Sequence, residues 1–290
     1  MLAAAFFFSM MNTLVRLSAA ELPPIQIVFL RNLFALMAMM PWLYSQGLPS
    51  VKSKRRDLQL TRAIVGIIAM AVWFTSLTLV PMTQAVALNF TLPLFVVAGA
   101  ALLLKEDVGA RRWGATAIGF LGMLVIIRPG FQDVSTATFL PIIAAVFMAM
   151  SMLILKKLST YDSPGTSVLY MNFLMSLLSF IPAVLVWKWP SWQALGLVAL
   201  LGAFGAMAHL SLARSYRVAE ASAVMAFDYA RLPLIAIFAY FIFNEVIDIW
   251  TWIGAAIIAG AALYIARREA VIAKQKAVLV KVAETPLQRQ

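Results

Sequence analysis

The chain has 290 residues, 63% of them hydrophobic and only 12% charged, with a mean hydropathy of +0.91. A soluble domain of that length needs far more charge to cover its surface, so composition excludes one and makes the bilayer the solvent. The net charge of +11 is spread over alternate loops, which argues against a nucleic-acid partner, and the absence of cysteine leaves no disulfide or thiolate chemistry.

A membrane-spanning helix needs roughly 20 mostly apolar residues. Cut at its Pro, Gly and charge clusters, the sequence predicts ten such runs. In chain order they lie near Met1 to Ser18, Pro24 to Tyr44, Leu60 to Val80, Thr83 to Leu104 and Trp113 to Ile127. The second five lie near Ala137 to Leu155, Gly165 to Trp187, Trp192 to Ala213, Ala219 to Phe243 and Ile249 to Ala266. The runs lack the alternation of a barrel strand, and lipid offers no water to bare backbone, so helices are expected. The first run carries no basic leader or small-residue cleavage site and is expected as a retained helix. From Glu269 to Gln290 the chain is too polar to span and reads as a cytoplasmic tail.

Lys and Arg crowd into Lys52 to Arg56, Lys105 to Arg112, Lys156 and Lys157, Arg214 and Arg217, and Arg267 onward. The intervening loops hold little beyond Arg128 and Lys188. The positive-inside bias then predicts an even number of spans, both termini cytoplasmic, in a multi-pass inner (plasma) membrane protein of bacterial type.

The chain also repeats itself at an offset of about 140 residues. The first helix ends FFSMMNTLVRL at Leu17 and the sixth reads VFMAMSMLILKKL, with Lys156 in the place of Arg16. Arg31 and Pro41 in the second helix answer to Asn172 and Pro182 in the seventh. Trp73 falls near the level of His209. Pro93 precedes Gly114 as Pro233 precedes Gly254, with Glu106 and Glu245 between them. Five helices per copy is an odd number, so the second copy enters the membrane upside down. The expected fold is therefore all-α integral membrane, ten transmembrane helices as two inverted five-helix repeats around a central cavity. The first repeat is expected at 1–128, the second at 137–267 and the tail at 268–290. Inverted repeats place a shared site at the bilayer midplane and favour a secondary transporter.

Four stretches of the sequence resemble a known family: FLRN at Phe29 to Asn32, LNFTLPLF at Leu88 to Phe95, FDYARLPL from Phe227, and NEVIDIWTWIG from Asn244. Together with KED before Trp113-Gly114, they resemble the drug/metabolite transporter superfamily, in its form built from two EamA-type units. The resemblance implies a ten-helix basket around a central cavity and a small-molecule substrate. The cargo expected first is amino acids of broad range with aromatic and other neutral side chains, moved outward by alternating access. The alternative is a nucleotide-like or cofactor metabolite such as S-adenosylmethionine or riboflavin, or a toxic cation. A membrane enzyme or channel is the lesser alternative, since no catalytic or metal motif is present and no cofactor is expected.

Ionisable groups inside spans cost about 2.5 to 3.5 kcal/mol each, so each needs a partner or a purpose. Arg31, His209, Asp228 and Arg231 are the candidates. Asp228 and Arg231 lie three apart on one helix and either neutralise each other or line the substrate route. Trp73, Phe90, Phe227 and Tyr229 offer rings to an apolar or cationic group. Asn12, Asn89, Thr91 and Asn172 offer neutral donors and acceptors, to a substrate or to neighbouring helices. Pro93 and Pro233 are expected to bend their helices as hinges or static kinks. Glu106 and Glu245 read as structural end markers, and the small residues of the fifth and tenth helices as packing faces. The protein is expected as a monomer, with a dimer through those faces as the alternative.

Overall fold

In a computed structural model of the chain, the described residues are 1–47, 52–103, 110–128, 135–218, 231–245, 248–261, 263, 264, 267 and 271. They form helices α1 (Leu2–Ser18), α2 (Pro24–Gln46), α3 (Arg56–Leu79), α4 (Met82–Asn89), α5 (Leu92–Leu103) and α6 (Ala110–Ile127). After a 3-10 turn at Thr136–Phe139 come α7 (Leu140–Leu158), α8 (Pro164–Leu185), α9 (Trp192–Val218), α10 (Arg231–Phe243) and α11 (Ile249–Ala261). No strand occurs among the described residues. Among the described residues six stretches are long and apolar enough to cross a membrane: Pro24–Ser45, Arg56–Leu79, Met82–Gly99, Thr136–Leu158, Pro164–Leu185 and Trp192–Val218; α1 and α11 are shorter apolar helices.

The helix ends follow their local chemistry. Pro24 and Pro164 each stand in the first turn of α2 and α8, where a missing N–H costs nothing. Ser163 caps α8 by accepting from the Thr166 amide at 3.1 Å. The third helix begins at Arg56 rather than Leu60, with Asp57 at the positive end of its dipole. That earlier start carries Arg62 into the helix.

The fourth predicted run, expected as one bent helix, is two. α4 ends at Asn89, and Phe90 and Thr91 turn before α5 begins at Leu92. The Thr91 amide bonds the Leu88 carbonyl at 3.1 Å in the tighter 3-10 pattern, and the Thr91 hydroxyl bonds the same carbonyl at 2.8 Å. Pro93 thus occupies the second residue of a new helix rather than the middle of a continuous one, which spares it the clash with a preceding turn.

Packing brings the two ends of the sequence together. α1 packs on α9, α3 on α7 and α8, α2 on α8 and α9, α5 on α7, and α10 on α1 and α4. Small residues set the closest approaches. A methyl at Gly202 of α9 would lie 2.6 Å from Phe34 Cβ and 2.9 Å from the Arg31 carbonyl of α2. A methyl at Gly254 of α11 would lie 2.6 Å from the Gly122 carbonyl of α6, so the fifth and tenth predicted spans meet backbone to backbone.

Side chains tie the helix ends across the fold. Glu21 accepts from the Ser191 amide at 2.6 Å and its hydroxyl at 2.8 Å. Asp162 accepts from the Ser53 hydroxyl at 2.5 Å, the Lys54 amide at 3.0 Å and Gln59 Nε2 at 2.8 Å. Glu245 accepts from the Met82 amide at 3.1 Å and the Thr83 amide at 3.3 Å, capping α4 from outside its own helix. It also pairs with Arg16, whose guanidinium lies 4.7 Å over the Phe243 ring.

Candidate functional site

Side chains of α1, α3, α4, α5, α7, α8, α9 and α10 line a cavity that holds about 90 Å³ of space for the centres of water-sized occupants. Methionines of α1, α3, α7 and α8 make much of its wall, with the rings of Phe8, Trp73 and Phe74. Thioethers and rings of this kind adapt to flat apolar groups. The polar groups in the wall are Asn12, Arg62, Asn89, Ser151, His209 and Arg231. No carboxylate lines it among the described residues.

The cavity is ordered from its own side chains. Trp73 Nε1 donates to Asn12 Oδ1 at 3.1 Å, which fixes both a ring and an amide while leaving Asn12 Nδ2 without a partner among the described residues. Phe8 holds two neighbours: His209 meets it edge to face at 5.2 Å, and the Arg231 guanidinium stands 5.2 Å over its face. Asn89 Nδ2 donates to the Pro141 carbonyl at 3.3 Å. Arg62 Nη1 donates to the Ser167 carbonyl at 3.0 Å, and Nη2 reaches Met171 Sδ at 3.2 Å.

Of the residues the sequence singles out, Asn12, Trp73, Asn89, His209 and Arg231 come together in this wall. Arg31 and Asn172 meet each other instead. Arg31 Nη1 donates to Asn172 Oδ1 at 3.3 Å and to Asn32 Oδ1 at 2.7 Å, with both residues wholly buried off the cavity wall. Gly205 makes room for that guanidinium, since a methyl there would lie 2.5 Å from Nη2. Phe90 and Thr91 are buried in the break between α4 and α5 and do not line the cavity. Phe227, Asp228 and Tyr229 lie outside the described residues, so the Asp228–Arg231 pairing does too. Pro233 lies in α10, whose described residues begin at Arg231. Sequence reasoning passed over Arg62, which falls among the basic residues at the edge of a predicted span. It also passed over Phe8, Ser151 and the wall methionines, which look like any other apolar-helix residue until the helices are packed.

Comparison with known proteins agrees with this architecture. The EamA-like transporter family matches residues 1–128 and 135–267. A riboflavin transporter of Vibrio cholerae is 34% identical over 274 residues, covering 93% of this chain and 92% of its own. An S-adenosylmethionine uptake transporter of Rickettsia prowazekii is 31% identical over 240 residues, 83% of this chain and 82% of its own. A pseudopaline exporter of Pseudomonas aeruginosa is 25% identical, covering 91% and 93%. One solved crystal structure superposes with a TM-score of 0.65 at 17% identity, over 92% of this chain and 98% of that one, and so shares the fold. With the family matched over nearly its whole length, the chain belongs to the EamA-like transporters, multi-pass membrane carriers of small molecules.

Proposed function

We propose that the protein is a secondary transporter of a flat heteroaromatic metabolite of the flavin class, riboflavin foremost, working by alternating access. The observation that carries this reading is the cavity wall: thioethers and aromatic rings with a few neutral donors, two guanidinium groups and no described carboxylate. A flavin ring stacks on such surfaces and presents oxygen acceptors to the donors. An amino acid is a poorer fit, since its ammonium group finds no carboxylate there among the described residues, and the relatives compared offer that cargo no support. Arg62 likewise disfavours a cation such as S-adenosylmethionine. The identity to riboflavin transporters at 34% and 32% points the same way.

Two inverted halves of five spans, with both termini cytoplasmic, complete the proposal. The helix contacts favour it, because exchanging the halves turns the α1–α9 contact into α7–α3 and the α2–α9 contact into α8–α3, and all four occur. The ties at the helix ends follow the same exchange. Glu21 and Asp162 stand at equivalent places, as do their partners Ser191 and Ser53. On the proposed topology Glu21–Ser191 closes the outer face and Asp162–Ser53 the inner face. The direction of transport follows the gradients the cell maintains.

Expression in a bacterium unable to make riboflavin tests the reading. The chain should restore growth at micromolar external riboflavin, where the inward gradient suffices for a carrier. Well-expressed protein that never restores growth contradicts it.

A further inference from the structure

One face of α3 runs the length of the cavity. Arg62, Gly66, Ala69, Met70 and Trp73 all line it, at the spacing that stacks side chains on one side of a helix. Arg62 and Trp73 stand about 16 Å apart along the axis, at roughly 1.5 Å per residue. Between them the facing helices come close: a methyl at Gly66 would lie 3.4 Å from Met175 Sδ and 3.7 Å from Ser151 Oγ, so the missing side chain leaves a narrow gap about one methyl deep. The result is a slot with an indole at one end and a guanidinium at the other.

Arg62 is held in one orientation. The side chain is 2% exposed, and its two terminal nitrogens are occupied by the Ser167 carbonyl and Met171 Sδ. Its Nε has no partner among the described residues, and neither do Asn12 Nδ2 and His209 Nδ1 in the same wall. A buried donor without an acceptor is unfavourable, so a ligand that brings oxygen acceptors gains what the empty cavity lacks. An N–H from a fixed cation suits a conjugated carbonyl, which carries more negative charge than a hydroxyl and has no proton of its own to place.

Resting on the flavin reading, we propose that Arg62 is the specificity-determining residue of this carrier. Its Nε–H takes a carbonyl oxygen on the edge of a flat, uncharged or anionic ring, so the slot selects cyclic diones and rejects cationic metabolites. The ring's other end lies toward Trp73 and Asn12.

Competition against riboflavin counterflow in proteoliposomes tests this. Lumichrome has three fused rings with the dione and no sugar-like chain; phenazine has three fused rings and no carbonyl. In the unaltered protein lumichrome should compete at least about tenfold better than phenazine, while ribitol and S-adenosylmethionine should not compete. In Arg62→Gln the preference should shrink to about twofold or less with competition by phenazine unchanged, a pattern that mere loosening of the fold does not produce. Equal competition by the two tricycles, effective competition by ribitol or S-adenosylmethionine, or an unchanged preference in Arg62→Gln each overturns the proposal. The first two readouts need no variant and decide the matter if Arg62→Gln fails to reach the membrane. Absence of riboflavin counterflow in the unaltered protein would instead refute the flavin reading itself.

Discussion

Trp73 and Asn12 act as one unit, because the indole N–H that fixes the amide also fixes the ring. Trp73→Phe keeps a ring but frees Asn12 to rotate, and should raise the KM for riboflavin about tenfold, the equivalent of roughly 1.4 kcal/mol. Counterflow at varied riboflavin concentration measures it. Arg31 belongs to a different category, since its partners are Asn172, Asn32 and Met70 rather than the cavity. Asn172→Leu removes an acceptor from a buried cation and should destabilise the protein by about 1 to 3 kcal/mol, seen as a lower melting temperature in detergent. At this scale the sequence was informative where a residue is chemically conspicuous. Asn12, Trp73, His209 and Arg231 are polar or large in apolar runs, and all four line the cavity. For Arg31 the sequence left a partner and a ligand both open, because only packing decides whether a buried cation faces a ligand or a neighbouring asparagine.

The helices themselves were legible from their hydrophobic length, and most of their ends from Pro, Ser and charge. The break between α4 and α5 was not, since hydropathy runs unbroken through Phe90 and Thr91 and the turn shows only in backbone bonds. Glycine marks where helices touch, but which helices touch is a tertiary fact. Gly202 sits against the backbone of α2, with its would-be methyl 2.8 Å from the Ala35 amide nitrogen. Backbone cannot yield as a flexible side chain can, so Gly202→Ala should force α9 away from α2 and destabilise the fold by about 1 to 3 kcal/mol. Gly196, whose added methyl meets nothing within 4 Å, is the control: Gly196→Ala should melt within a degree or two of the unaltered protein or slightly above it, as expected for an exposed helix position. Comparing the two melting curves separates close packing from helix propensity.

Across the whole molecule, carriers work by breaking contacts on one face while keeping those on the other, and the proposed topology would set the two carboxylate–serine ties on opposite faces. The Ser191 amide and hydroxyl hold the Glu21 carboxyl below its ordinary value. A depressed carboxyl contributes its full stabilisation above the unfolded-state value and loses it as pH falls through the folded one. The Glu21–Ser191 tie should therefore be intact at neutral pH and lost on acidification below the ordinary carboxyl value of 4.5. Melting temperature followed over that range should fall less steeply in Glu21→Gln than in the unaltered protein. Composition made the membrane unmistakable, and internal repetition suggested paired halves. Substrate was not legible, because the cavity wall is assembled from scattered side chains of eight helices, and nothing along the chain announces which methionines will share it. The most direct measurement of the cargo is riboflavin counterflow with purified protein in liposomes, beside labelled amino acids and S-adenosylmethionine. Riboflavin should exchange saturably, with excess unlabelled riboflavin outside and no effect of the other compounds. Exchange of an amino acid that riboflavin does not inhibit, with riboflavin itself retained, would contradict the flavin cargo outright.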